Sequence, residues 1–145
     1  MSIEPGCLRV PELHASPGHL LRRALQLHNA AWAERVSATI TSPQYAVLLA
    51  LHEHDDWDQR SVGEWVALDK STGADVIGRL VGRGLVRRRR DDRDRRRNVL
   101  ELTPEGDRLF EELTPKVLAL SEYLLSRFTP ADTATLTALL GRFVF

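Results

Sequence analysis

Cysteine and methionine are almost missing from this chain of 145 residues: Cys7 is the single cysteine and Met1 the single methionine. One cysteine cannot build an intrachain disulfide framework, which predicts a fold held by its core and a reducing, cytoplasmic setting. Long apolar runs are absent too. The longest, Tyr45 to Leu51, has seven residues, far short of the roughly 20 that a membrane-spanning helix needs, so no membrane partner is expected. Residues 1–10 carry neither a basic n-region nor an apolar h-region, and no signal peptide is expected. There is no glycine-rich phosphate loop, Cys-x-x-Cys pair or Gly-x-Ser-x-Gly elbow, so no cofactor, metal site or familiar catalytic nucleophile is expected. His52, His54, Asp55 and Asp56 cluster, but residues two apart on a helix do not face each other, and a solvated helix end is the plainer reading.

Net charge of either sign is absent as well, since twenty Lys and Arg balance twenty Asp and Glu. That balance hides an asymmetry. Residues 79–97 hold ten arginines against three acids, Asp91, Asp92 and Asp94, a local excess of +7 that the rest of the chain offsets. Charge runs are often plain solvated surface, yet Arg alone, without Lys, suits phosphates and base edges. With 43% apolar and 28% charged residues the chain falls outside the disordered class and has the length of one ordinary domain.

Helix starts are written repeatedly. Ser16-Pro17, Ser42-Pro43, Thr103-Pro104 and Thr129-Pro130 each set a hydroxyl N-cap before a proline. Ser61 and Glu64 read as a capping box, and Asp69 caps a helix that Gly84 stops. Leu85 to Arg89 and Asn98 to Leu102 read as a hairpin around a charged turn. Thr114-Pro115 predicts a kink or a split in the helix that Thr103 starts. The order is four helices, a hairpin and two further helices.

Residues 61–84 read as helix, tight turn, helix. On the second helix Val76, Ile77, Leu80 and Val81 form an apolar face, with Ser71, Thr72, Asp75 and Arg79 toward the other side. An ordinary helical hairpin would satisfy this pattern, but a basic hairpin directly behind it gives the winged helix-turn-helix order, whose second helix enters a DNA major groove.

At this point the sequence resembles the bacterial MarR family of transcriptional regulators. The resemblance rests on Asp69-Lys70-Ser71-Thr72, Arg79-Leu80, Arg83 to Arg88, Asp94-Arg95-Arg96 and Leu102 to Gly106, with flanking helices of matching number and order. It implies a mainly helical homodimer with a small β-hairpin wing, in which residues 1–15 form an arm, 16–40 and 103–145 the dimerisation helices, and 42–102 the winged lobe. It implies double-stranded DNA with a pseudo-palindromic operator as partner. It further assigns Ser71, Thr72, Asp75 and Arg79 to the recognition helix, and Arg88, Asp94, Arg95 and Arg96 to the wing, with Asp94 pairing Arg96 to hold the hairpin. Gly73, Gly78 and Gly82 depart from the family pattern and predict a softer recognition helix. The run Arg87 to Arg90 exceeds what the family needs and predicts extra phosphate contacts.

On the first helix Leu21, Leu25, His28 and Trp32 share a stripe, which places His28 among core groups. A structural histidine and an intersubunit arginine are the plain readings of His28 and Arg22. Pro17 to Arg23, however, is similar to the first helix of MarR regulators of aromatic-acid catabolism. That likeness implies a small aromatic carboxylate ligand, hydroxybenzoate or hydroxycinnamate in type, held by Arg22 and His28, with His19 as a further contact and Trp32 and Tyr45 as aromatic walls. It implies a repressor that ligand releases, and no enzymatic role. The alternatives are a regulator gated by oxidation of Cys7 or without ligand, and a nonspecific nucleic-acid-binding module.

Overall fold

The computed structural model describes residues 12–144. A short 3₁₀ turn at Leu13–Ala15 leads into α1 (Pro17–Arg35), followed by α2 (Ser42–Glu53), α3 (Gln59–Trp65), α4 (Lys70–Gly82), strands β1 (Val86–Arg90) and β2 (Asn98–Leu102), α5 (Pro104–Leu125) and α6 (Pro130–Val144). The predicted order of helices and hairpin holds.

The helix starts differ in detail. Ser16 precedes α1 but its hydroxyl bonds no backbone N–H. Thr41, not Ser42, caps α2, in a capping box with Gln44. Thr103 and Thr129 cap α5 and α6 as expected. The Ser61–Glu64 capping box does not form. Asp58 caps α3 instead, accepting from the Ser61 N–H at 2.8 Å, because an ionised carboxylate is the stronger acceptor and begins the helix three residues earlier. Pro115 neither ends nor splits α5, which runs unbroken. Next to it, Thr114 Oγ1 donates to the Phe110 carbonyl at 2.8 Å and lies 3.0 Å from the Tyr45 hydroxyl.

The core gathers Trp32, Val36 and Ile40 with Val47, Leu48 and Leu51 of α2, Val62 of α3, and Ile77 and Leu80 of α4. Leu85, Val86 and Leu100 of the hairpin and Phe110, Leu113 and Leu120 of α5 complete it. The hairpin is antiparallel, with Arg88 opposite Leu100. Its β2 edge is extended by one bond, from the Leu100 N–H to the Trp57 carbonyl at 2.8 Å. Gly84, at φ +70°, makes the turn from α4 into β1 that a side chain would strain. Gly106 lets α5 start against the hairpin, since a Cβ there would stand 2.0 Å from the Leu85 carbonyl oxygen.

The α1 stripe is the principal correction to the fold expected. Leu20, Leu21, Leu25 and Leu27 are exposed, and of the stripe only Trp32 is buried. His28 is half-buried rather than a core group. The α6 helix has no buried residue, and Leu139, Leu140, Phe143 and Val144 stand in solvent. Two amphipathic helices thus lay apolar faces on the surface of one chain.

Candidate nucleic-acid interface and adjoining cavity

The recognition face is built by α3 and α4. Asp69 caps α4 by accepting from the Ser71 and Thr72 N–H groups, both at 3.0 Å, and its second oxygen takes the Thr72 hydroxyl at 2.6 Å. The Thr72 hydroxyl donation holds the Asp69 carboxyl below its ordinary range. Gly73, Val76, Ile77 and Leu80 are buried, leaving Ser71, Thr72, Asp75 and Arg79 exposed on one side of the helix as the sequence predicts. The helix is continuous despite Gly73, Gly78 and Gly82. Asp75 and Arg79 form an ion pair at 3.0 Å.

The wing is pinned by groups that the sequence reading missed. Arg97 donates through Nε to Asp58 at 3.1 Å and through Nη1 to the buried Asp91 at 3.3 Å, joining the hairpin tip to the start of α3. The Asp58 carboxyl lies below its ordinary range, first because it accepts the Ser61 backbone N–H and further because Arg97 is beside it. The expected Asp94–Arg96 side-chain pair is not formed: Asp94 Oδ1 accepts from the Arg96 backbone N–H at 3.0 Å, and the guanidinium that ties the wing belongs to Arg97. An aspartate two residues before a backbone N–H closes its own turn more easily than it reaches a neighbouring side chain.

The arginine run divides by strand alternation. Arg87 and Arg89 both meet Glu101 on the facing strand, and Arg89 also reaches Asp56 at 2.7 Å and Asp92 at 3.2 Å. Burial alone would raise the Glu101 carboxyl, but the guanidiniums of Arg87 and Arg89 outweigh it and hold it low. These two arginines are therefore internally neutralised, contrary to the expectation that all four face phosphates. Arg88 donates to Gln59 Oε1 at 3.1 Å and Arg90 to the Arg95 carbonyl at 2.6 Å. Arg95 and Arg96 are exposed at the tip. The alternation was visible in the sequence; the partner Glu101 needed the register.

A cavity of about 570 Å³ lies where α1 meets the loop to α2, lined by Leu25, His28, Trp32, Ile40 and Pro43 among others. The loop is clamped from two sides. Trp32 Nε1 donates to the Ile40 carbonyl at 2.6 Å, and Arg83, the residue that ends α4, donates to the Thr39 carbonyl at 2.7 Å. Adjacent carbonyls therefore join the cavity wall to the recognition helix. Of the five residues expected at a ligand, His28 and Trp32 line this cavity. Arg22 and His19 do not; they bond each other at 3.0 Å, one to two turns earlier on α1. Tyr45 is buried behind Trp32, with ring centroids 5.7 Å apart. Cys7 lies outside the described residues.

No helix among the described residues is long and apolar enough to cross a membrane. The sequence profile of the MarR family matches residues 40–97. The transcriptional regulator HosA of Escherichia coli O157:H7 is 33% identical over 114 residues, covering 79% of this chain and 84% of HosA. The crystal structure of the PcaV transcriptional regulator from Streptomyces coelicolor, in complex with its natural ligand, superposes with a TM-score of 0.86 at 42% identity, covering 91% of this chain and 94% of PcaV. BpsR of Bordetella bronchiseptica, whose DNA binding is regulated by 6-hydroxynicotinic acid, superposes with a TM-score of 0.84 at 32% identity, covering 89% of this chain and 93% of BpsR.

Proposed function

The chain belongs to the MarR family of transcriptional regulators, and from that membership we propose a dimeric, sequence-specific repressor that a small anionic aromatic acid releases from its operator. The observation that carries this reading is the cavity beside His28 and Trp32, whose wall is bonded at the Thr39 carbonyl to Arg83, the C-cap residue of the recognition helix. PcaV, similar over nearly the whole chain, takes a natural ligand, and the DNA binding of BpsR responds to a heteroaromatic carboxylate.

The apolar faces of α1 and α6 are the surfaces that a second copy would cover. Two lobes then present two α4 helices to successive major grooves, with half-sites one helical turn apart. Ser71 and the Thr72 methyl lead into the groove, because the Thr72 hydroxyl is engaged by Asp69. Arg88, Arg95 and Arg96 meet the backbone from the wing, and Asp94 shapes the turn that carries them.

In the cavity His28 offers an imidazole to a ring hydroxyl, since either nitrogen can donate or accept. Arg22 lies six residues earlier, about 9 Å along the helix axis, and its fork suits a carboxylate better than the His19 nitrogen that it now holds. Trp32 walls the cavity and Tyr45 supports it from behind. A ligand that fits only one position of the 36–41 loop shifts α4 through Arg83, and DNA affinity falls by as much as ligand affinity differs between the two positions.

The test is fluorescence anisotropy with DNA from the region upstream of the gene, beside scrambled DNA, titrated with hydroxybenzoates, hydroxycinnamates and 6-hydroxynicotinate. One acid is expected to weaken selective binding by about fivefold or more. Arg22→Ala should keep DNA binding and lose that release. Selective binding that none of the acids disturbs would overturn the ligand assignment, and binding without sequence preference would overturn the operator.

A further inference from the structure

We infer that Gln59 is a positioning residue for DNA binding: its neutral amide orders the Arg88 guanidinium without cancelling its charge, so that the wing holds one arginine ready for a phosphate. The inference rests on the reading of α4 and the wing as the surfaces that meet duplex DNA.

The hydrogen bond runs from Arg88 Nη1 to Gln59 Oε1 at 3.1 Å. A guanidinium has donors only, so the amide turns its oxygen toward it. One bond between surface side chains orders little by itself; here the backbone brings the two together. Arg88 stands opposite Leu100 in the hairpin register, and the Leu100 N–H donates at 2.8 Å to the carbonyl of Trp57, two residues before Gln59. Asp58, between Trp57 and Gln59, takes Arg97 of the same wing at 3.1 Å. Gln59 is itself half-buried and is the first residue of α3. The wing and the start of α3 are therefore tied twice beside this pair, and the Gln59 stem is rooted in a helix.

The arginines of the cluster separate by the kind of acceptor that they meet. Arg87 and Arg89 meet Glu101, and Arg97 meets Asp58 and Asp91; each is ordered by a carboxylate and neutralised by it. Arg88 is ordered by an amide, which carries no charge. A carboxylate at position 59 would remove one unit of attraction for a polyanion, and an apolar side chain would leave Arg88 to lose its rotamer freedom only when DNA binds. Gln59 avoids both losses.

The place of the pair fits that role. Gln59 also lines a cleft of about 560 Å³ between α3 and α4, together with Lys70 and Ala74 of the recognition helix. Arg88 is thus held where the wing joins the helix-turn-helix, beside the helix that enters the groove. The run Arg87 to Arg90 reads in the sequence as surplus charge, and Arg88 is the member of it that a side chain orders without neutralising.

The test is fluorescence anisotropy of the full-length protein on DNA from the region upstream of the gene and on scrambled DNA, across a series of salt concentrations. Arg88→Ala should flatten the dependence of log affinity on log salt by about one unit per wing, or about two for a dimer. Gln59→Glu keeps the reach and supplies a countercharge, so it should flatten the slope by a similar amount. Gln59→Met keeps the length without an acceptor. It should hold the parent's slope yet weaken binding by about twofold to tenfold per wing, the cost of ordering one long side chain. In an Arg88→Ala background Gln59→Met should weaken binding no further, because Gln59 acts through Arg88. A role in the fold alone would lower the melting temperature of both Gln59 variants and separate neither slope from the parent's. The inference is overturned if Gln59→Glu or Arg88→Ala keeps the parent's slope, or if Gln59→Met weakens binding as much without Arg88 as with it. A parent that binds both duplexes alike removes the operator reading, and the slopes still decide the role of Gln59.

Discussion

Asp58 holds two structures with one carboxylate, which makes Asp58→Ala the sharpest test of how the wing is positioned. The residue caps α3 through the Ser61 N–H at 2.8 Å and the Ser61 hydroxyl at 2.9 Å, and its other oxygen takes Arg97 Nε at 3.1 Å. Loss of an N-cap costs about 1 kcal/mol. The pair with Arg97 lies between surface and interior, with side chains 39% and 31% exposed, and after screening contributes about 0.5 kcal/mol. Asp58→Ala should then lose about 1.5 kcal/mol, or about 5 °C in melting temperature at fixed protein concentration. Asp58→Asn keeps a competent cap and removes the charge, so it should lose about 0.5 kcal/mol. A double-mutant cycle with Arg97→Ala should return that smaller figure as the coupling. The pH dependence has a definite sign. A carboxyl held below its unfolded value, near 3.9, stabilises the fold above that pH and ceases to do so as pH falls through the lower folded value. The parent should therefore lose stability more steeply than Asp58→Asn below about pH 4. An Asp58→Ala protein melting within 1 °C of the parent, with equal acid sensitivity, would refute both the cap and the tether.

Arg95→Ala and Arg96→Ala should each flatten the dependence of DNA affinity on salt by about one unit of slope per wing, or about two for a dimer. Arg89→Ala should leave that slope nearly unchanged, because Glu101, Asp56 and Asp92 already neutralise it; equal slopes from all three variants would contradict the division of the arginine run. Gly106→Ala should cost about 1–3 kcal/mol, read as a fall of several degrees in a thermal melt, since its Cβ meets the backbone of Leu85 rather than a side chain that can turn aside.

Much of the architecture was legible in the sequence because it is written in short-range chemistry. Asp69 and Thr103 cap the helices that they were expected to cap, Gly84 turns the chain where positive φ is needed, and the period of Val76, Ile77 and Leu80 separates the buried from the exposed side of α4. Where two acceptors competed, composition alone chose wrongly: Ser61 looked like a cap, yet Asp58 three residues earlier is the better acceptor. The wing tether was illegible for a different reason. Arg96 and Arg97 are chemically identical neighbours, and only the register of the hairpin decides which one reaches Asp58 and Asp91. The α1 stripe misled because hydrophobic period tells which residues avoid water, not which surface covers them; in one chain Leu21 and Leu25 remain exposed.

The three tryptophans divide the protein optically. Trp32 is buried at the cavity, 5.9 Å from the His28 ring, whereas Trp57 and Trp65 stand 6.2 Å apart beside the wing, with His54 stacked on Trp57 at 3.8 Å. Trp65 is 44% exposed and open to aqueous quenchers that Trp32, at 5%, escapes. Emission that survives such a quencher comes chiefly from the cavity and emission that it removes comes chiefly from the far lobe, so the molecule carries a separate reporter for each of its two ends without an added label.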